Sequence, residues 1–374
     1  MIPYIITFIV SLFFLNLSYK KRGTRNVFFL CCALLPPILL AAFRDSTIGT
    51  DTSFYAIPVF EAAVKSADFK DLQDSWKFVE TPYLLINFVS AKISSVPVAS
   101  FFIVQTLILI PVFISSFKLR KHLSPVLFLF IYYCMIYNST LNMIRQSMAV
   151  SIICLATTYF ILNKRYTAII LCILATFFHT SAYIGIFCIL ACVICQKISI
   201  APNKKAIIIM ACLILGFIAY HIDTIITGFI ERNLVDIKYE AYLSASDGGI
   251  FESKINKTEL AMDIFIFIFT YQAYKRKTNS SILLFFLSMS LTTCVFDLTG
   301  LISVYLSRIS KYSGIIACLS IPYISKMIDT KQLKPIPLFS KPILIPLFIC
   351  YWLYLYIITN SNETYPYTSQ ILGI

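Results

Sequence analysis

The sequence predicts an all-α fold, a polytopic transmembrane helix bundle, on three observations. Of 374 residues, 59% are hydrophobic and only 13% are charged, against roughly half and about a quarter in soluble domains. Several apolar runs approach or exceed the roughly 18 residues needed to cross a bilayer. The Lys and Arg residues behind the net charge of +13 gather in short clusters between those runs, as in cytoplasmic loops of membrane proteins. Nucleic acid is therefore not expected as a partner.

Taken in order, the runs fall at about 2–18, 26–43, 98–117, 124–138, 144–162, 166–178, 181–195, 206–229, 260–274, 281–297, 301–325 and 342–359. The first is followed by Tyr19-Lys20-Lys21-Arg22 and not by a small-residue cleavage site, so it reads as a retained span. If all twelve cross, the clusters at Lys20 to Arg25, Lys118 to Lys121, Lys164-Arg165, Lys197 to Lys205, Lys275 to Lys277 and Lys326 to Lys334 share one side, the cytoplasmic one. Tyr83 to Ile93 is apolar enough to enter the membrane, yet a thirteenth crossing there inverts every later cluster relative to the first; a re-entrant or interfacial segment keeps the parity, and a cytoplasmic N-terminus with one exception to the charge rule, which moves the Arg44 loop to the cytoplasm, is the alternative. No repeat or soluble domain is evident, so residues 1–374 read as a single polytopic membrane domain. Its two longest outer loops, 44–81 and 231–259, are too short to fold alone and must pack on the bundle.

Twelve cysteines lie in or beside apolar runs and behave as small hydrophobes. Cys192 and Cys195 have C-x-x-C spacing but no second pair or histidine nearby, so neither a metal nor another cofactor is expected. No Walker loop, dinucleotide fingerprint, H-E-x-x-H or G-x-S-x-G motif is present.

The chemistry is sought in polar groups that the membrane does not explain. Arg44 to Tyr55 places an arginine, two aspartates and several hydroxyls around Gly49, a set suited to phosphate or sugar hydroxyls; a capped interfacial loop is the structural alternative. Arg145 and Gln146 open a span from the outer side, where the helix N-terminus disfavours a cation unless an anion binds there too. Phe178-His179-Thr180-Ser181 forms a tight outer turn in which His179 is either a proton carrier or part of a hairpin cap. Asp297 lies on another outer turn, ahead of Arg308 and Lys311 on one helical face. One aspartate cannot neutralise both cations, which leaves room for an anion. His122 and His221 read as structural.

Arg44 with Ile48-Gly49-Thr50-Asp51-Thr52 and Tyr55, Ile144-Arg145-Gln146 with Ala149, Phe178-His179-Thr180-Ser181, Arg308-Ile309 with Tyr312, and Tyr365-Pro366-Tyr367, in this order and spacing, resemble the EpsG family of Wzy-like polysaccharide polymerases. The resemblance spans most of the chain. It implies a glycosyltransferase of the bacterial inner membrane, active at the periplasmic face, that joins undecaprenyl-pyrophosphate-linked oligosaccharide units without a cofactor; its partners are that lipid-linked substrate, membrane lipid and a chain-length regulator protein. On that reading Arg44, Arg145, Arg308 and Lys311 bind pyrophosphate and Asp51, His179 and Asp297 are the candidate bases. Gly49, Thr50, Thr52, Tyr55, Gln146, Tyr305, Tyr365 and Tyr367 then contact the sugar, although the last two tyrosines also suit a simple anchor for the tail. A flippase for lipid-linked sugars, an O-antigen ligase and a membrane acyltransferase are the competing readings; the flippase predicts an inverted repeat, and none is seen.

Overall fold

A computed structural model of the chain describes residues 1–20, 23–198, 256–301, 307–336 and 340–374. These residues are helical with no strand. Among the described residues seven helices are long and apolar enough to cross a membrane: Ile2–Lys20, Thr24–Ala42, Val98–Lys118, Ile144–Ile161, Thr180–Ile198, Ser281–Leu301 and Lys341–Ile358, with Arg165–Phe178 shorter. The expected run at 206–229 and most of the loop 231–259 lie outside the described residues. The runs at 124–138 and 260–274 correspond to helices more broken or more polar than the sequence pattern predicts: Pro125–Tyr132 continues through a π turn into Asn138–Asn142, and the second is Lys257–Arg276; of the run at 301–325, residues 302–306 lie outside the described residues and Ser310–Asp329 is helical. The chain divides into two compact units, Met1–Tyr183 with Ser340–Ile374, and Ile184–Phe339.

The first unit is built from α1 (Ile2–Lys20), α2 (Thr24–Ala42), α3 (Ile57–Lys65), α4 (Phe69–Ser75), α5 (Thr81–Ile93), α6 (Val98–Lys118), α7 (Pro125–Tyr132), α8 (Asn138–Asn142), α9 (Ile144–Ile161), α10 (Arg165–Phe178) and, from the C-terminal part, Lys341–Trp352. Helix α2 contains Pro36 and Pro37, and a proline has no N–H for the carbonyl four residues back. Ser11 Oγ donates to the orphaned Ala33 carbonyl at 2.6 Å, and so fastens α1 to α2. The π turn Tyr133–Tyr137 also frees a carbonyl, that of Met135, which accepts from Tyr356 Oη at 2.7 Å.

Helix α5 covers Tyr83 to Ile93. Its 13 residues span about 20 Å at 1.5 Å per residue, short of the roughly 30 Å hydrocarbon core. The Arg44 guanidinium, just past α2, lies 4.1 Å from the Phe101 ring centroid at the start of α6. The chain between them therefore leaves and rejoins the bundle at the same end.

That end also holds the C-terminus of α8, the N-terminus of α9 and the tail, since Tyr4 Oη donates to the Thr364 carbonyl, Asn138 Nδ2 to Thr364 Oγ1 and Trp352 Nε1 to Asn138 Oδ1. Lys20, Lys118, Lys164 and Arg165 terminate their helices at the opposite end. The separation of basic from functional-looking polar groups predicted from the sequence thus holds within this unit.

The second unit contains α11 (Tyr183–Ile198, from its second residue), α12 (Lys257–Arg276), α13 (Ser281–Leu298) and α14 (Ser310–Asp329); Lys341–Trp352 belongs to the first. Helix α12 runs from Glu259 in its first turn to Lys275 and Arg276 in its last, a charge order that matches its dipole. Arg276 donates to the Lys334 and Pro335 carbonyls beyond α14.

Candidate functional site

The Arg44 loop is fixed first by the end of α2, whose last carbonyls lack helical partners. Arg44 Nη1 donates to Ala41 O at 2.7 Å, Tyr367 Oη to Leu40 O at 2.7 Å, and Ser369 Oγ to Phe43 O. Arg44 is 6% exposed. Burial pulls its pKa down, and the oxygens of Tyr83, Tyr137, Tyr4 and Tyr367 act against that shift. The arginine placed on the pyrophosphate by resemblance is, in this geometry, an enclosed cap of α2 beneath the loop. Tyr367, 6% exposed, anchors the tail on α2 through its hydroxyl, and Tyr365 is half-buried with its backbone N–H on Asn360 Oδ1.

Gly49 has φ +82°, and a Cβ there would lie 2.7 Å from the Leu141 carbonyl oxygen, so no other residue fits. This close approach lets Asp51 N donate to Asn142 Oδ1 at 2.9 Å and Thr52 Oγ1 to Leu141 O at 3.3 Å. The loop is thereby seated on the break between α8 and α9. Thr50 and Ser53 point outward and are exposed, whereas Thr52 is fully buried.

Immediately beyond the break stands Arg145. Its Nη1 forms an ion pair with Glu80 Oε2, and its guanidinium carbon lies 4.6 Å from the centroid of the Tyr55 ring, a cation–π distance. The arginine side chain is 22% exposed and that of Glu80 13%. Tyr83 meets Tyr55 edge-on at 5.9 Å, and Asp51 is near enough for its charge to act on both hydroxyls. Burial pushes Tyr55 well above the usual phenol range and Tyr83 up to about 12, so both remain hydrogen-bond donors at neutral pH. Gln146 is 7% exposed and lies inside the α9 packing.

Arg145, Asp51 and Tyr55 are therefore brought together as the sequence suggested, but the sequence reading missed Glu80. Glu80-Thr81-Pro82 reads as a helix start, and nothing in a pair 65 residues apart announces the contact.

His179 ends α10, antiparallel to α9, and the turn Thr180–Ala182 packs on α9. Its Nδ1 faces Ser181, within 3.2 Å of the backbone nitrogen and 2.7 Å of Oγ. This is the hairpin-cap geometry, at the same end of the unit as Arg145.

The second unit carries a different constellation. Lys311 Nζ pairs with Glu259 Oε2 at 2.8 Å, while Asp297 and Asp263 lie near enough to act on its charge and within hydrogen-bonding reach of each other. Both aspartates are nearly enclosed, 6% and 7% exposed. The sequence reading set Asp297 alone against two cations; here Glu259 is the direct partner of Lys311, and carboxyls outnumber the lysine. Arg308 is half-buried, and Tyr305 lies outside the described residues. Among the described residues no group of three or more His, Cys, Asp or Glu is arranged to hold a metal.

The model of the EpsG family matches residues 27–369, a stretch that takes in both constellations. No curated protein and no solved structure gives a match.

Proposed function

The chain belongs to the EpsG family, a family of Wzy-like polymerases, and from that premise we propose that it is a glycosyltransferase that polymerises undecaprenyl-pyrophosphate-linked oligosaccharide units at the periplasmic face of a bacterial inner membrane. The family match across 27–369 is the observation that carries the reading. Transfer breaks a bond between the anomeric carbon and a pyrophosphate oxygen, and negative charge grows on the leaving group. A fixed cation aimed at that charge lowers the barrier. Arg145 suits the role, being held by Glu80 and Tyr55 and still a fifth exposed.

Asp51 and His179 are proposed beside it as groups that contact the acceptor, with Gly49, Thr50 and Thr52 shaping that wall. Within the second unit Arg308 and Tyr305 are proposed as a polar surface for the substrate, and Lys311 as the counter-ion of Glu259, Asp263 and Asp297. A twelve-span topology, with every basic cluster cytoplasmic, puts the Arg44 loop in the periplasm.

Purified protein supplied with lipid-linked repeat units in detergent tests the reading. A ladder of lengthened lipid-linked products is expected. Substrate left at one unit would refute the polymerase and favour a flippase. In cells, loss of the protein should give single-unit-capped lipopolysaccharide; uncapped core would assign a ligase. A cysteine placed at exposed Ser53 should react with an impermeant thiol reagent added from outside.

A further inference from the structure

Resting on the polymerase reading, we infer that Glu80 is the catalytic base of the transfer, held on Arg145 in the unliganded protein and released when the donor pyrophosphate takes its place. Glu80 stands at the N-cap position of α5, yet its side chain makes no capping hydrogen bond. Among the described residues its carboxylate pairs with Arg145, across the unit on a different helix.

Charge balance explains what happens when a donor arrives. Glu80 and Arg145 form a neutral pair, seated against the Tyr55 ring. A pyrophosphate ester brings several strong acceptor oxygens and more negative charge than one carboxylate, and guanidinium binds such groups through paired N–H donors. Glu80 holds only Nη1; a pyrophosphate that takes the rest of the fork sets more negative charge against that carboxylate, and the like-charge repulsion drives Glu80 off. In-line attack brings the acceptor hydroxyl to the anomeric carbon from the side opposite the pyrophosphate, so the freed carboxylate, still tethered at the start of α5, acts as base after swinging away from Arg145.

The step balances. The acceptor oxygen forms a bond to the anomeric carbon as its proton passes to the Glu80 carboxylate. The bond from that carbon to the pyrophosphate oxygen breaks, and pyrophosphate leaves with the electron pair on Arg145. Departure of the lipid pyrophosphate lets Glu80 lose its proton to water and return to the arginine. Until a donor is bound the base remains occupied, which protects the site from acting on acceptor or water alone.

The test separates binding from turnover, with inorganic pyrophosphate as competitor of labelled lipid-linked donor and ladder formation as the rate. Glu80→Gln should bind pyrophosphate as tightly as the natural protein, or several-fold more tightly, while elongation falls at least ~100-fold, the lower range for loss of a general base. Arg145→Ala should lose pyrophosphate binding. If Glu80→Gln elongates within about three-fold of the natural rate, or loses pyrophosphate binding in step with Arg145→Ala, the inference fails and Glu80 is a structural prop. Should Glu80→Gln not accumulate, Glu80→Asp replaces it, with binding kept and rate reduced at least ~10-fold expected; an unchanged rate overturns the inference. Natural protein that makes no ladder removes the polymerase reading and the base with it, whereas natural ladders with an active Glu80→Gln remove the base alone.

Discussion

The two units each place ionisable groups at the end away from their basic clusters, and they balance charge in opposite ways. In the first, one arginine meets one carboxylate, with an aromatic face behind it. In the second, one lysine meets Glu259 and has two further carboxyls close by. An arginine matched one to one can exchange its partner for a ligand anion. A lysine outnumbered by carboxyls is the counter-ion that keeps a buried acidic group tolerable. Position alone made Arg145 and Lys311 look alike in the sequence; their partners separate them.

The largest expected effect breaks that comparison directly. Arg145→Ala should lower elongation by ~100- to 1,000-fold at normal protein level, the scale seen when one charge-stabilising donor is removed from an active site. Arg145→Lys should recover only part, because an ammonium lacks the planar fork. Elongation within a few-fold of natural in the alanine variant would detach the first unit from the chemistry.

Lys311→Met should act on stability before activity. Removing the cation takes from Glu259 its partner and from Asp263 and Asp297 the charge of Lys311, at a cost of roughly 3 kcal/mol, the low end for breaking a buried pair because the lysine keeps about a quarter of its side chain exposed. Thermal unfolding in detergent and the amount of protein in membranes measure this. A stable variant that fails to bind pyrophosphate would move Lys311 into the ligand site and erase the contrast between the units.

Much of the helical layout was legible because apolar runs and basic clusters are local signals: α1, α2, α6 and α9 fall where hydropathy puts them. The Arg44 loop, Arg145 and the His179 turn were also recognisable as polar groups out of place. What was not legible depends on pairing between distant segments. Glu80 meets Arg145 only because α5 stops short of crossing and its start returns to α9. The capping role of Arg44 was hidden because the tail supplies the rest of the cap, through Tyr367 and Ser369 more than 320 residues away. Glu259 and Asp263, four apart on α12, share a face and might have been read as a pair, but their neighbours come from α13 and α14.

Gly49→Ala sharpens the first half of the comparison, since the loop that carries Asp51 and Tyr55 depends on a contact only glycine permits. The new Cβ would meet the Leu141 carbonyl oxygen at 2.7 Å from a backbone at φ +82°, and a strained residue of this kind costs about 1–3 kcal/mol. Lower thermal stability together with reduced elongation is expected. Unchanged stability would show that the loop is not seated on the α8–α9 break.

Tyr367→Phe is the smallest and the most specific test. It removes one hydroxyl and leaves the Leu40 carbonyl at the end of α2 without its donor, which costs roughly 1 kcal/mol, rising if the carbonyl stays dry. The ring still fills its place against Tyr4, 5.6 Å away. If the tail is an anchor, stability falls slightly and elongation stays within about two-fold. If Tyr367 instead contacts sugar through its hydroxyl, elongation falls while the unfolding temperature stays put. Arg44 caps the same helix end, so Arg44→Lys should behave like Tyr367→Phe in kind, with the larger loss of stability, and the two changes made together should cost other than their sum, as neighbours sharing one cap do.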